Sequence, residues 1–524
     1  MDLNQILLWM VCFSCFSLLF WASRSPLSYN LGWIIVSGFI LGAIAVSFIV
    51  SSSHAGLIGG ILWAILILLP LIGFKKVNQL VARERYIKAR KLASWLRWLH
   101  PSDGWWEQPE LFRALELGQQ GNMDEAVQIF NRYTTAKTPI GRTATVLLYR
   151  MGARWEELLL WLRNEIAESL LFTDPTMGSY YLRALGETGD LNGLIDNLDR
   201  FDKILLNSGK SGTLNMMRMF AFAFGGQPEQ VKNLFNIALG GYSQDVRQFW
   251  LATANLAAGK EAEAKEQLLE LSDSSDITLL NAIARRLSHP LSRPELVLNE
   301  SSQQILAKIP HQLEQEVRYV DRFALVNKKT YMTYGLICLN SIAFAIEILS
   351  GGSEKFFTLY RLGALAPQAV WQGEWWRLIT ATFLHFGWLH LLLNMLGLSL
   401  LGGFVELSLG WWRYLFAYFC SGIGSMLVIV ILTIFTGYGP KIAVGASGGI
   451  MGMLGVIIAI LLRGWRQEKA RVAGNRLRNL LLIMGLQVAI DITTPNISFV
   501  GHFSGAAIGF LTGIILLRNW RFQN

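Results

Sequence analysis

Nine apolar segments, each near the length of a membrane-spanning helix, constrain this chain more than any other feature. A helix that crosses a bilayer needs about 20 consecutive apolar residues. Three such segments lie near the N-terminus and six follow residue 329: Leu3 to Ala22, Leu31 to Val50, Ala55 to Phe74, Tyr331 to Ser350, Phe386 to Leu407, Tyr414 to Thr436, Gly448 to Leu462, Asn479 to Ile492 and Gly501 to Leu517. We therefore predict an all-α polytopic membrane protein.

The first segment resembles a secretory signal peptide in its apolar length, but it lacks a basic leader and two further spans follow it. We expect it to be retained as a membrane helix. The four cysteines, Cys12, Cys15, Cys338 and Cys420, all lie in apolar runs without the CxxC spacing of a zinc or redox site. We accordingly predict no metal and no cofactor.

Basic residues cluster beside alternate apolar segments. There are eight Lys or Arg from Lys75 to Arg97 and six from Arg463 to Arg478. Arg24, Arg318 to Lys329, Arg413 and Arg518 to Arg521 fall at the other junctions of the same side. Cytoplasmic loops carry this excess of positive charge. The net charge of +9 is thus explained by topology and not by a nucleic-acid partner, and we predict a cytoplasmic middle region and C-terminus with the N-terminus outside.

The region between the two groups of spans is of a different kind, with amphipathic helical patterns separated by short glycine turns. The turn glycines are Gly121, Gly152, Gly189, Gly226 and Gly259, and they recur about every 34 residues, which is the period of tetratricopeptide repeats. We predict a tetratricopeptide-like helical solenoid, while an irregular helical bundle remains the alternative. The predicted domains are therefore three transmembrane helices at 1–76, the cytoplasmic repeat domain at 77–328 and a six-helix membrane domain at 329–524.

A glycine-rich stretch in the C-terminal block, GASGGIMGMLG, contains one serine, Ser447. It satisfies the GxSxG pattern of soluble hydrolases, but that pattern requires a strand before the serine, and a membrane loop precedes it here. Gly448, Gly452 and Gly455 form a small-residue face that lets membrane helices pack closely. From this stretch alone, Ser447 is either a nucleophile or part of a packing surface.

Histidines elsewhere in the block favour the nucleophile, because ionisable groups in membrane helices are costly and usually functional. His390 and Asn394, four residues apart, project from one face of a predicted helix. His502 opens the last helix and is followed by a second glycine face of Gly505, Gly509 and Gly513. Two glycine-lined helices can approach closely enough for a serine-histidine hydrogen bond.

These motifs, in this order, resemble the rhomboid family of intramembrane serine proteases over about Thr330 to Arg521. The resemblance rests on EWWRLITATFLH, on the HxxxN of His390 and Asn394, on GGFVE, on GASGGIMG and on the final histidine with its GxxxG helix. It implies a six-helix core without a cofactor. It also implies a dyad in which Ser447 is the nucleophile and His502 the general base.

The resemblance assigns the oxyanion hole to the side chains of His390 and Asn394 and to the backbone N–H of Ser447. Gly445 belongs to the same motif, and His385 either supports the oxyanion region or anchors the first loop. Trp376 with Arg377 is expected to order that loop, and Glu406 to form a polar tie at the cytoplasmic end of its helix. Asp491 is given a structural or loop role, because the family works without a third member.

One position departs from the pattern. Four residues after the nucleophile many members carry Tyr or Phe, which stacks on the catalytic histidine, whereas this chain has Met451. A thioether also packs against an imidazole face, but less rigidly. The departure bears on the alignment of His502 and not on the reaction class.

The resemblance implies an endopeptidase that cleaves transmembrane helices of other membrane proteins near the outer face of the bilayer, consistent with a bacterial inner membrane. Two alternatives are a catalytically silent relative that only binds membrane helices, and a membrane-anchored scaffold whose repeat domain carries the function. Silent relatives lose the serine or the histidine, and this chain keeps both. Repeat solenoids offer concave binding surfaces, so a cytoplasmic protein partner is expected in either case.

Overall fold

The computed structural model describes residues 3–23, 30–135, 137–205, 211–319, 329–493 and 498–518. Within these residues every regular element is helical, which confirms the predicted all-α class. Seven described helices are long and apolar enough to cross a membrane. The other two predicted spans are also helices, the N-terminal one and Arg471–Thr493. Arg24, Arg521 and the basic residues between 320 and 328 lie outside the described residues.

Chain contacts divide the protein into two compact units, Asp2–His311 and Gln312–Asn524. The first unit contains the three N-terminal helices and the helical middle region, and the second contains the C-terminal block. The three-domain division remains a prediction.

The N-terminal spans form an up-down-up group of α1 (Leu3–Ala22), α2 (Leu31–Val50) and α3 (Ala55–Trp63), which continues through a π-helical turn into α4 (Leu69–Ala82). Asn4, near the start of α1, accepts hydrogen bonds from the backbone N–H groups of Gly56 and Leu57 at the start of α3. The N-terminal ends of α1 and α3 therefore lie together.

The opposite end of this group is fastened to the middle region. Asp103 accepts from the backbone N–H of Gly32 at the start of α2, with both carboxylate oxygens 3.2 Å from that nitrogen. A carboxylate is stabilised at a helix N-terminus by the unpaired N–H groups there. His100, which is fully buried, bonds Asp103 at 2.9 Å and packs on Trp33. The N-terminus of α2 thus lies against the start of the middle region.

The middle region is built from five helical hairpins that turn at or beside the predicted glycines. After α5 (Tyr86–Leu99), the helices are α6 (Gln108–Gln119), α7 (Met123–Asn131), α8 (Pro139–Met151), α9 (Trp155–Glu165), α10 (Glu168–Thr173), α11 (Pro175–Glu187), α12 (Leu191–Leu205), α13 (Ser211–Phe224), α14 (Pro228–Ile237), α15 (Gln244–Ala257) and α16 (Glu261–Glu270), with α10 an extra short helix between hairpins.

Four of the five turn glycines adopt left-handed backbone, as a sharp turn between helices requires. The exception is the second turn, where Gly152 has φ −85° and Ala153 takes the left-handed position at φ +49°. The predicted turn is therefore present at Gly152, but the residue after it supplies the left-handed backbone. The assignment of the hairpins to the tetratricopeptide class stays a prediction.

After the last hairpin the chain returns along the turns of the earlier ones. This return segment comprises α17 (Ile277–Ser288), α18 (Pro294–Val297) and the start of α19 (Glu300–Tyr319). Successive points of contact link Ile277 with Gly121, Asn281 with Met151, Arg285 with Glu156, Ser292 with Gly189, Asn299 with Asn192 and Leu306 with Gly225. The protein's own chain therefore covers part of the surface that the hairpin turns present.

Glu84, just beyond the last N-terminal span, gives the first unit a pH-dependent element. Burial raises the pKa of its carboxyl above the usual range, although the Ser243 hydroxyl and the Arg150 guanidinium act to lower that pKa. A raised folded-state pKa means that folding favours the protonated form. The contribution of Glu84 to stability is therefore present below its unfolded pKa and is lost as the pH rises through its folded pKa.

We expect Glu84→Gln to raise Tm at pH 7 by about 2 °C, because the amide removes a buried charge and can still accept from Ser243. The gain should shrink as the pH falls toward 4.5. Thermal unfolding of the full chain in detergent at several pH values measures it, with the exposed Glu266→Gln as control. A Tm gain that is equal at all pH values, or shared by the control, contradicts this account.

The second unit contains the six helices of the C-terminal block, and the residues between α20 and α24 fold into three short helices. These elements are α20 (Tyr331–Leu349), α21 (Phe356–Leu362), α22 (Pro367–Trp371), α23 (Arg377–Thr380), α24 (Trp388–Leu409), α25 (Trp411–Thr436), α26 (Ser447–Arg466), α27 (Arg471–Thr493) and α28 (Phe499–Leu517). In α26 nearly every residue from Gly448 to Leu461 is buried, so this helix forms the centre of the unit.

Candidate active site

Ser447 is the first residue of the central helix α26 and is half-buried. The segment that delivers it is held from both sides. Leu365 and Ala443 exchange two backbone hydrogen bonds of 3.0 and 2.9 Å, and the N–H of Gly445 donates to the Ala381 carbonyl at 2.9 Å. Gly445 has φ +132°, a conformation that glycine adopts without strain. The first loop, the segment between α20 and α24 that contains Leu365 and Ala381, thereby fixes the position of Ser447.

The predicted close packing of two glycine faces is confirmed. A Cβ on Gly505 of α28 would lie 2.3 Å from the carbonyl oxygen of Gly448, and one on Gly509 would lie 2.1 Å from that of Gly452. Both values are far inside van der Waals contact, so the two backbones touch directly. The pairs advance together along both helices, which means that α26 and α28 run parallel.

This parallel register determines which residues meet at the start of the two helices. Gly448 faces Gly505. Ser447 directly precedes Gly448 at the start of α26, and His502 lies one turn before Gly505 near the start of α28. The packing of α26 on α28 therefore brings the serine and the histidine to the same end of the helix pair.

Asp491, near the end of α27, occupies the other side of His502. Its Oδ2 lies 2.7 Å from Nδ1 of His502, and its Oδ1 accepts from Nε2 of Gln487 at 2.8 Å. The Asp491 side chain is 1% exposed and that of His502 is 14% exposed. The sequence prediction kept Asp491 out of the site as a structural or loop residue, whereas the structure places it in direct contact with the histidine.

His390, in the first turn of α24, presents a defined proton donor. The backbone N–H of Phe386 donates to its Nδ1 at 3.3 Å, and an imidazole that accepts at Nδ1 carries its proton on Nε2. A Cβ on Gly445 would lie 3.0 Å from this Nε2 and 3.6 Å from the hydroxyl oxygen of Ser447. The His390 imidazole and the Ser447 hydroxyl therefore both lie beside Gly445.

Asn394 follows one turn later on α24 and is buried. Its Nδ2 donates to the His390 carbonyl at 2.9 Å, which uses one of its two N–H bonds. This bond holds the amide on the helix face that also carries His390. The geometry agrees with the face predicted from the four-residue spacing.

His385 is fully buried behind His390, with the two ring centroids 5.1 Å apart. Its Nδ1 bonds the Phe383 carbonyl at 3.0 Å, and its backbone N–H donates to Glu347 of α20 at 2.9 Å. These contacts anchor the end of the first loop beneath His390. Glu347 was missed in the sequence analysis, although a lone acid within an apolar segment is a signal of a buried polar role.

The expected roles of Arg377 and Glu406 agree with the structure. The Arg377 guanidinium donates to the carbonyls of Tyr360 and Ala364 and to Glu374, which ties the first loop together. Glu406 accepts from the backbone N–H groups at the start of α20 at 3.0 and 2.9 Å. It thus caps that helix at the end remote from Ser447.

Met451 lies one turn after Ser447 on α26, is half-buried and packs against the buried core of the unit. The start of α26 carries a serine hydroxyl, the start of α28 carries an imidazole bonded to a carboxylate, and the N–H donor of His390 lies beside Gly445. This inventory of a hydroxyl, a base and an N–H donor is the set of groups that acyl transfer requires. No group of acids, histidines and cysteines among the described residues has the geometry of a metal site.

Comparison with known proteins agrees with this inventory. The Rhomboid domain model matches residues 372–519. Rhomboid protease GluP of Bacillus subtilis is 32% identical over 203 residues, covering 39% of this chain and 38% of that protein. RHOMBOID-like protein 5 of Arabidopsis thaliana is 36% identical over 160 residues, 30% of this chain and 50% of that protein. The chain thus spans half or less of the length of these two relatives.

A third relative is covered more fully. YdcA of Bacillus subtilis is 33% identical over 161 residues, which are 31% of this chain and 74% of that protein. The residues that the Rhomboid domain model matches include His390, Ser447 and His502. The chain is an integral membrane protein with several apolar helices, and it belongs to the rhomboid family.

Proposed function

We propose that the chain is an intramembrane serine endopeptidase that cleaves transmembrane helices of other proteins. The observation that carries the proposal is the parallel packing of α26 on α28, which holds Ser447 and His502 at the same end of two helices whose backbones touch. Such contact leaves little freedom for either side chain to drift away. Family membership supports the reaction class.

In the proposed reaction the Ser447 hydroxyl attacks a substrate carbonyl carbon while its proton passes to Nε2 of His502, since Nδ1 is engaged by Asp491. The carbonyl oxygen becomes an oxyanion that accepts from Nε2–H of His390, from the free N–H of Asn394 and from the Ser447 backbone. When the C–N bond breaks, His502 gives its proton to the leaving amine. Water then hydrolyses the acyl-enzyme through the same base.

The two proposed side-chain donors, His390 and Asn394, would each stabilise the oxyanion and so raise kcat. Removing one donor of a preorganised oxyanion hole costs about 10² to 10³ in kcat. Both His390 and Asn394 are held from behind, the first by Phe386 and the second by the His390 carbonyl. Both side chains are therefore already oriented before a substrate binds.

The proposed orientation in the membrane is supported by the basic residues at the ends of the helices. Arg463, at the far end of α26, donates to the Leu517 carbonyl at the end of α28, and Arg476 donates to the Tyr319 carbonyl. These basic residues mark the end opposite to Ser447. With positive charge on the cytoplasmic side, we place Ser447 near the outer face and the helical hairpins and C-terminus in the cytoplasm, as in a bacterial inner membrane.

The substrate we propose is a transmembrane helix that unwinds at small or helix-breaking residues near the outer surface. A helix keeps its carbonyls bonded internally, so the scissile bond becomes accessible only where that bonding is lost. A cytoplasmic protein partner of the hairpin region belongs to the same proposal. Its site lies away from the turns that the return segment covers.

The test uses the purified full-length chain in liposomes with a panel of single-span substrates, together with a fluorophosphonate probe. We expect cleavage near the outer end of at least one span and covalent labelling of the chain. Absence of both cleavage and labelling contradicts the proposed activity and favours a silent helix-binding relative.

A further inference from the structure

Asp491 is a buried acid with both carboxylate oxygens engaged. One oxygen bonds Nδ1 of His502 at 2.7 Å and the other accepts from Gln487, four residues earlier on the same helix. A buried carboxylate is costly unless it is paired and hydrogen-bonded, and here both requirements are met by groups of the site. Its place in α27 is therefore linked to the histidine and not to packing alone.

We propose that Asp491 is a positioning residue for His502, so that this chain works with a Ser447-His502-Asp491 arrangement. The inference rests on the proposed function and assigns a role that the family resemblance does not supply. A carboxylate only accepts hydrogen bonds, so Nδ1 of His502 must carry a proton when it bonds Asp491. The neutral ring then has its lone pair on Nε2, the atom that must receive the Ser447 proton.

The contact also controls the plane of the ring. A hydrogen bond at Nδ1 defines both the tilt of the imidazole and the direction of Nε2 on its opposite side. Gln487 holds Asp491 from the α27 side, and because the two lie at i and i+4 they share one helix face. Asp491 thus fixes the position of the His502 ring on α28 relative to α27.

This role of Asp491 compensates for Met451, which replaces the aromatic residue that the family resemblance implies. Where the resemblance places an aromatic ring against the histidine, this chain has a flexible thioether that packs less rigidly. The Asp491 bond constrains the same ring by a different contact. We infer that the alignment of His502 depends more strongly on the Asp491 carboxylate in this chain than it would if an aromatic residue replaced Met451.

The proton balance of the reaction is unchanged. During acylation the Ser447 proton moves to Nε2 and His502 becomes an imidazolium, while Asp491 stays a carboxylate and faces the new positive charge. When the amine leaves, the proton departs from Nε2 with it. The proton that His390 carries on Nε2 stays on that ring and is used at the oxyanion.

The test compares Asp491→Asn and Gln487→Leu with the wild-type full chain. An Asn cannot enforce the tautomer, and loss of the equivalent carboxylate in a Ser-His-Asp protease lowers kcat about 10⁴-fold. Because the resemblance implies that a dyad suffices, we expect a drop in kcat of about 10²-fold, the cost of a misplaced catalytic group. KM and Tm should stay unchanged, and fluorophosphonate labelling of Ser447 should slow in parallel.

Gln487→Leu retains the carboxylate but removes the partner of one of its oxygens, so it should lower kcat by less than Asp491→Asn does, with the same KM. It also keeps the inference testable if Asp491→Asn does not fold. Ser504→Ala is the matched control, because this α28 hydroxyl bonds only backbone carbonyls of its own helix. Its kcat should equal that of the wild type.

The outcomes are distinguishable. If the wild type cleaves and both variants retain its kcat, Asp491 is structural and the inference is wrong while the proposed activity stands. If kcat falls only together with Tm, the effect is one of folding, and the inference is likewise wrong. A wild-type chain that neither cleaves nor labels overturns the proposed function and this inference with it.

Discussion

Ser447→Ala is expected to abolish cleavage, with kcat falling by about 10⁶-fold, the effect of removing the nucleophile of a serine protease. The reason is specific to the site: without the hydroxyl no atom remains for His502 to deprotonate and no acyl-enzyme forms. The folded state should be unaffected, because Ser447 is only half-buried at the start of α26. Reconstituted cleavage assays and fluorophosphonate labelling measure the two consequences directly.

The matched control for Ser447 is Ser399→Ala. Ser399 is an exposed serine on the neighbouring helix α24 whose hydroxyl bonds only a carbonyl of its own helix. It should cleave and label like the wild type. Labelling that persists in Ser447→Ala would identify a different nucleophile and remove the basis of the proposed mechanism. The inactive variant also offers a way to capture the uncleaved substrate helix.

Much of the membrane architecture could be predicted because its signal is local. The start and end of α1 and α2 follow directly from their apolar runs, since every backbone group in a bilayer must be bonded within a helix. The glycine faces of α26 and α28 could also be predicted from the local sequence. A face lined only by glycines has few uses other than close approach of another backbone.

Contacts between residues distant in sequence could not be predicted in the same way. Asp491 and His502 belong to different helices, and no local pattern in the sequence predicts that the end of α27 packs against the start of α28. The lone acid in an apolar segment was nevertheless a signal, and it was set aside because the family resemblance provided no role for it. Glu347 is likewise a lone acid in an apolar segment, and only the fold brings it to the backbone N–H of His385.

The return segment α17 to α19 shows a different limit. Its helices are amphipathic, and any of several surfaces could bury their apolar faces. Only the three-dimensional register of the hairpins places Ile277 at Gly121 and Leu306 at Gly225. The second turn could not be predicted to the residue either, since Ala153 and not Gly152 is left-handed there. Packing against neighbouring helices decides the residue at which a helix ends.

Gly509→Ala is expected to be among the most damaging single-methyl changes in the second unit. A Cβ at this position would lie 2.1 Å from the Gly452 carbonyl oxygen and 2.5 Å from its Cα. Both obstacles are backbone, so no side-chain rotation relieves the clash and α26 must move away from α28. Overpacking of a core typically costs about 1 to 3 kcal/mol, and we expect about 3 kcal/mol here.

Displacing α28 also carries His502 away from Ser447, so cleavage by Gly509→Ala should fall more than the loss of folded protein explains. Unfolding in a denaturing detergent titration and kcat per folded molecule separate the two effects. Gly335→Ala is the matched control, since a Cβ on this α20 glycine would meet nothing within 4 Å, and it should be as stable and active as the wild type. Equal stability and equal kcat in the two variants would show that the α26 and α28 backbones do not touch, and the geometric basis for joining Ser447 to His502 would be lost.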